Sequence, residues 1–314
     1  MKTIKLYTLL LFALSFITCF AQQHKPMWHV SRDFIINDYD IDTDSGVVYA
    51  GGDFPLYMYN GDTQYRDNLI AINAKTGALL PFNPFTNYYK KVNAVLCHNG
   101  KIYLAGAPEK APYYVEVYNR DGTVASSFTS SFASITKVTA MVAVGSRIYV
   151  LGSFTDNTNA IFYTAVLDET SGKLIRVDQA FEGFEAKKIV GTDNKLLLLS
   201  DEYLRVYNRA TYALLNEIPL NNYGIPATDF IMVDDTAYVT GAFSLNGKDN
   251  QGCLKFDVSQ TTPMNWTFGY ANPCTVKDTL YNASCGKYYP YDNGVSTIAA
   301  NGSDIYVGGQ IGYA

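Results

Sequence analysis

The sequence predicts an all-β chain, a β-propeller of four-stranded antiparallel blades, with about six blades visible and the last incomplete. Two observations carry this. First, an apolar strand, a tight polar turn and a second strand ending Tyr-x-x-Gly recur six times, closing at Gly52, Gly106, Gly152, Ser200, Gly241 and Gly309. Second, the interval is roughly 40 to 50 residues with several strands in each, the period of propeller blades, and the helical pattern a solenoid needs is absent.

The chain opens with Lys2 and Lys5 ahead of an apolar stretch from Leu6 to Phe20, and Ala21 precedes Gln22 at a fitting cleavage site. Residues 1–21 therefore read as a signal peptide and residues 22–314 as the propeller, incomplete at its C-terminus. The apolar stretch is shorter than the ~20 residues a spanning helix requires, and no later segment is long enough. The expectation is an exported chain, extracellular, at the cell surface or in a periplasm, with no transmembrane segment after signal cleavage.

The hairpin copies run 38–52, 92–106, 138–152, 186–200, 227–241 and 295–309. The first is more acidic, and the fourth replaces Tyr and Gly with Leu197 and Ser200. In each of the first five units a third strand ends at Asn73, Asn119, Asp168, Asn208 or Asp257. A short acceptor side chain there bonds the backbone two residues on and starts a turn, so these residues read as structural. A fourth, outer strand is expected around 80–82 and 124–128. After Gly309 only five residues follow, so the sixth unit lacks a third strand, and residues 27–34 are expected to supply its outer strand.

The run Val48-Tyr49-Ala50-Gly51-Gly52-Asp53-Phe54, with Asn68-Leu69-Ile70-Ala71-Ile72-Asn73 and Thr76-Gly77-Ala78-Leu79-Leu80-Pro81, resembles one blade of the bacterial delta-60-type propeller repeats. Its second part is also similar to the repeat of pyrroloquinoline-quinone propellers, in which a Thr-Gly turn precedes a docking Trp; Phe82 stands near that position here. The leader ending Phe20-Ala21-Gln22-Gln23 resembles those of exported Bacteroidetes proteins. The resemblance implies a scaffold, and on its quinoprotein side a quinone with calcium.

Apolar residues make up 48% of the chain and charged residues 17%, ample for a core. A net charge of -5 without a basic stripe excludes nucleic acid as an expected partner. Signatures of nucleophilic, metallo-protease or phosphate chemistry are absent, and the histidines are three: His24, His29 and His98. Asp38, Asp40, Asp42 and Asp44 fall on every second residue, so a strand would put them on one face, where calcium is the cation that could hold them together. The glycine of an EF-hand loop is displaced by Ser45, which favours a solvated strand end with no bound metal. Aligned by copy, Asp40 matches Ala94, Ala140, Lys188, Asp229 and Thr297, which places Asp40, Lys188 and Asp229 along the central channel. Cys274 and Cys285 are close in sequence in an exported chain and are expected to form a disulfide, with Cys97 and Cys253 as separate buried thiols.

In a four-stranded meander the loops joining strands two and three share an end with the loops joining blades. That face collects the tyrosines: Tyr57, Tyr59 and Tyr65 in the first unit, Tyr88, Tyr89 and Tyr223 between units, and Tyr270, Tyr281, Tyr288, Tyr289 and Tyr291 in the long Cys-containing insertion. Tyrosine gives a flat apolar ring with a hydroxyl at low entropic cost, so this face is the expected binding surface. The function expected is a non-enzymatic exported scaffold binding a glycan or protein partner there. The alternative is an exported propeller enzyme, quinoprotein-like or carbohydrate-active.

Overall fold

A computed structural model describes residues 28–30, 35–54, 56–59, 62–66, 68–84, 90–108, 114–129, 134–155, 161–177, 181, 183–223, 226–241, 243, 253–264, 295–301 and 304–309. The expected signal peptide, Cys274, Cys285, Tyr88, Tyr89, Tyr270, Tyr281, Tyr288, Tyr289 and Tyr291 lie outside these residues.

The described chain is nearly all β, with helix confined to 3₁₀ turns such as Leu220–Asn222. It begins with β1 (Trp28–Val30), β2 (Ile35–Asp42), β3 (Val47–Asp53), β4 (Leu56–Tyr59), β5 (Asp62–Tyr65) and β6 (Leu69–Asn73). The second unit holds β7 (Lys90–His98), β8 (Lys101–Pro108) and β9 (Tyr114–Asn119); the third holds β10 (Ser134–Val144), β11 (Arg147–Thr155), β12 (Ile161–Asp168) and β13 (Leu174–Val177). The fourth is β14 (Lys188–Gly191), β15 (Lys195–Leu199), β16 (Tyr203–Asn208) and β17 (Leu214–Pro219). The fifth is β18 (Ala227–Val233), β19 (Thr236–Gly241) and β20 (Cys253–Asp257), and the sixth β21 (Val295–Asn301) and β22 (Asp304–Gly309).

Each unit is an antiparallel meander, fully four-stranded in the third and fourth. In the first and second the outer strand shrinks to single bridges, Ile72 to Leu79 and Tyr118 to Val124. The segment expected to complete the sixth unit does something else: β1 pairs with β4, and β4 with β5, as a separate three-stranded sheet inserted in the first unit. Tyr57, Tyr59 and Tyr65 thus lie on hairpin strands, where a loop was expected. Backbone pairing with an adjacent free strand edge satisfies the N–H and C=O groups of residues 28–30 locally.

Units stack in chain order through shared cores. Tyr49 and Phe82 of the first pack with Val92, Val95 and Leu104 of the second; Tyr103 and Phe128 continue to Val138 and Val150 of the third. The Tyr of the repeated motif meets an aromatic from its unit's end edge to face, Tyr49 on Phe82 at 5.0 Å and Tyr103 on Phe128 at 5.7 Å. Phe82 thus fills the place read as a docking position. The predicted turn role of the third-strand residues is also met: Asn73 Oδ1 accepts from the Thr76 N–H at 2.9 Å, Asp168 Oδ1 from Ser171 at 2.8 Å and Asn208 Oδ1 from Thr211 at 2.9 Å.

The closing glycine has a physical cause. The innermost strand carries a β-bulge in five units, for example between Val138 and Ala140. The bulge swings a carbonyl onto the partner strand: a Cβ on Gly152 would lie 2.0 Å from the Lys137 oxygen, and one on Gly52 2.0 Å from that of Ile35. In the fourth unit the ladder ends at Lys188 opposite Leu199, which frees the next position for Ser200.

One alignment is corrected. Residues 43–46 join β2 to β3, whereas Asn99 and Gly100 alone, both at positive φ, join β7 to β8. The first hairpin is therefore two residues longer, its copy begins at Ile36, and the bulge between Ile36 and Asp38 aligns Asp38, not Asp40, with Lys188 and Asp229.

Candidate functional site

Two places gather polar chemistry. The first is the inner wall. Asp38, Asp40 and Asp42 do share a face of β2, and Asp44 sits in the turn after it. The four do not form one donor set for a cation. Asp38 Oδ2 accepts the Val95 N–H at 2.9 Å and Asp40 Oδ2 the Cys97 N–H at 2.7 Å, so both extend the first unit's edge onto β7. Arg120 reaches back to Asp42 with Nε at 2.5 Å and Nη2 at 2.8 Å, and to Asp44 at 3.2 Å. Calcium, the cation the spacing suggested, would have to displace these donors, and among the described residues no group of three or more His, Cys, Asp or Glu is arranged for a metal.

Burial pushes Asp38 up to about 6, aided by the like charge of Asp40 and opposed by the Val95 and Tyr39 N–H groups and by Lys188. Burial likewise raises Asp40, whereas the Arg120 hydrogen bonds lower Asp42. Further along the wall Lys188 pairs with Asp229, whose other oxygen accepts from Thr297 Oγ1 and the Ile298 N–H, each at 3.0 Å. Of the three residues aligned along the channel, Lys188 and Asp229 form an ion pair, and Asp38, not Asp40, is the first-unit residue that feels Lys188.

The second place is a cleft of about 620 Å³ between the third and fourth units, on the end that carries the strand-two-to-three and inter-blade connections. Its walls are Lys137 and Thr139 at the start of β10, residues 183–187 leading into β14, Ser200, Asp201 and Glu202, and Tyr203 and Arg205 of β16. Beside it β15 and β16 are joined by residues 200–202 alone, whereas five residues, 109–113 and 156–160, separate the corresponding strands in the sequence of the second and third units. Ser200 closes that short turn, its Oγ accepting the Tyr203 N–H at 3.0 Å.

Charges line the cleft in opposed pairs. Lys137 Nζ meets Glu185 at 2.7 Å, Lys187 meets Asp201, and Lys187 also donates to the Ala227 carbonyl at 3.2 Å. Arg205 lies over the buried Phe184 ring, 4.2 Å from its centroid, and donates to Glu217 at 2.6 Å. Such a guanidinium, fixed by a ring beneath and a carboxylate behind, keeps its remaining N–H groups in a set direction. Both members of the Lys137–Glu185 pair are about half exposed, so that pair is exchangeable with a partner's charges.

Of the tyrosines assigned to binding, Tyr223 is half-buried and packs on Phe256 at 6.0 Å, where it belongs to the core between the fourth and fifth units. Tyr57, Tyr59 and Tyr65 are placed by backbone only, on the inserted hairpin. The cleft residues were not among the expected site residues. The signal for them was the departure of the fourth copy from the repeat, with Ser200 for Gly and almost no sequence before its third strand. Cys253 is buried and Cys97 half-buried, both free, and burial raises each thiol.

No protein-family model matches the chain, and neither does any curated protein. Among solved structures it is similar to the WD40 domain of Neurospora crassa Pan2, at 11% identity and a TM-score of 0.51, covering 74% of this chain and 65% of that one. BamB from Moraxella catarrhalis (14% identity, TM-score 0.43, 74% and 62% covered) and a Bacteroides caccae protein of unknown function (10%, 0.44, 73% and 80%) are also similar. The chain thus spans slightly under two thirds of the Pan2 domain, and at that identity the likeness gives the fold alone: a β-propeller.

Proposed function

We propose that this chain is an exported, non-enzymatic binding propeller, and that it takes a protein partner through the cleft between its third and fourth units. The observation that supports this reading is the open cleft beside the short connection at residues 200–202, rimmed by both signs of charge. A peptide segment carrying charges of both signs can exchange with the half-exposed Lys137–Glu185 pair while one of its side chains enters beside Tyr203 and Arg205. Of the cleft's two rings Phe184 is buried beneath Arg205 and Tyr203 is half-buried, so neither offers a glycan a fully uncovered face to stack on.

Glu185→Lys tests this, because Glu185 is exposed and its loss leaves the core intact. Capture from a surface-protein extract with the wild-type chain, run beside a glycan array, should give a protein species whose recovery drops at least tenfold with Glu185→Lys while the melting temperature stays within about 1 °C. Equal recovery by both chains, or binding on the array alone, would reject the protein-binding assignment.

A further inference from the structure

The repeat makes each unit a control for the others. At the bulge of its inner strand a unit ties itself to the next: Asn37 Nδ2 donates to the Val92 carbonyl at 2.9 Å, Asn93 Nδ2 to that of Val138 at 3.3 Å, and Lys187 Nζ to that of Ala227 at 3.2 Å. Between the third and fourth units the matching side chain is Thr139 and the matching carbonyl that of Ala186. Threonine is too short to span the gap. Its buried hydroxyl makes no hydrogen bond, and among the described residues no side chain donates to the Ala186 carbonyl. Thr139 and Ala186 both line the cleft. The joint that lacks its tie is the joint at which the cleft lies.

The same joint is held firmly at its other end. There Arg147 Nη1 donates to the Tyr212 hydroxyl at 2.8 Å, the Tyr149 and Tyr212 hydroxyls lie 3.3 Å apart, and Arg209 Nη1 reaches the Val144 carbonyl at 3.4 Å, around a core that Tyr149, Phe181 and Tyr207 share. At the cleft end the third unit's Lys137 meets Glu185 in a half-exposed pair that water screens, so the two units part most easily there. Parting uncovers the Thr139 hydroxyl, which can donate, and the Ala186 carbonyl, which accepts. A carboxamide carries an acceptor and a donor side by side and matches both at once. It is also the group that Asn37 and Asn93 bring to this place from within the chain at the first two joints. A carboxylate has no hydrogen to give the carbonyl, and an aliphatic side chain would leave both polar groups unpaired. We propose that the partner anchors itself by inserting an asparagine or glutamine side chain between the third and fourth units, in place of the missing tie. This rests on the reading of the cleft as a protein-binding site and adds the chemistry of the anchor and its point of entry.

Selection from a random peptide library displayed on phage, with the purified full chain as bait, tests this. The wild type should enrich peptides that share one asparagine or glutamine next to charged residues. The synthetic consensus peptide should bind Thr139→Asn at least tenfold more weakly, because the chain's own amide then fills the place, and Thr139→Asn should melt no lower than the wild type. Changing the peptide's amide residue to leucine or to glutamate should weaken binding to the wild type at least tenfold, a result that decides the matter even where Thr139→Asn folds poorly. An enriched consensus without an amide, a peptide indifferent to the loss of its amide, or no enrichment at all overturns the inference. Glu185→Lys separates the two levels: peptides that it weakens but that need no amide reject the anchor and leave the cleft standing, whereas peptides that it does not affect reject the cleft itself.

Discussion

At the scale of single residues, the acidic run on β2 divides into carboxylates with opposite pH behaviour. Asp38 titrates at about 6 in the folded chain against an ordinary 3.8, so the folded state holds its proton more tightly than the unfolded one. Its contribution favours folding below the ordinary value and is lost as pH rises through about 6. Asp42 is the reverse: Arg120 holds it below the ordinary range, so its contribution is present above 3.8 and lost as pH falls through its depressed value. Asp38→Asn should therefore gain stability relative to the wild type as pH is raised from 4 to 7, and Asp42→Asn should lose it as pH is raised from 3 to 5. Melting temperatures of the three proteins across pH 3 to 7.5 check both slopes, and parallel curves would contradict the assignment. The sequence revealed the alternation of these aspartates but not their partners, because Val95, Cys97 and Arg120 come from the next repeat and only the stacked units bring them near.

At the scale of elements, the bulge on the inner strand builds a clasp between units. The extra residue donates to the carbonyl just before the next unit's bulge: Asn37 to Val92 at 2.9 Å, Asn93 to Val138 at 3.3 Å, and Lys187, in the matching place, to Ala227. The third unit has Thr139 there, too short to reach, and its buried hydroxyl makes no hydrogen bond. An unpaired buried hydroxyl costs stability, so Thr139→Val should be neutral or stabilise by up to about 1 kcal/mol, whereas Asn93→Ala should cost about 1 kcal/mol. Urea unfolding of the two variants measures the difference, and the same sign for both would refute the clasp. The hairpins, the turn-starting Asn and Asp residues and the closing glycines were legible in the sequence because each rests on local backbone geometry. The two-residue shift of the first copy was not, since the lengths of two turns trade off invisibly until strand pairing fixes the register. The pairing of β1 with β4 was hidden for a similar reason: residues 28–30 are too few to signal a partner.

At the scale of the whole molecule, six units form a repeated scaffold in which the connections between second and third strands differ most in length. Composition and period reached that architecture. The cleft was written as a deviation: where other copies insert residues between the second and third strands, the fourth has Ser200, Asp201 and Glu202 alone. Reading sites from what a repeat adds drew attention to tyrosine-rich insertions, while the space lay where a repeat leaves something out. This gives the most direct test of the binding account. The second unit's connection, Glu109-Lys110-Ala111-Pro112-Tyr113, is inserted between Asp201 and Glu202 to fill the cleft, and the captured partner is titrated against this variant and the wild-type chain. The account predicts an affinity at least tenfold weaker for the filled variant with an unchanged melting temperature; equal affinities in two equally stable chains would contradict it.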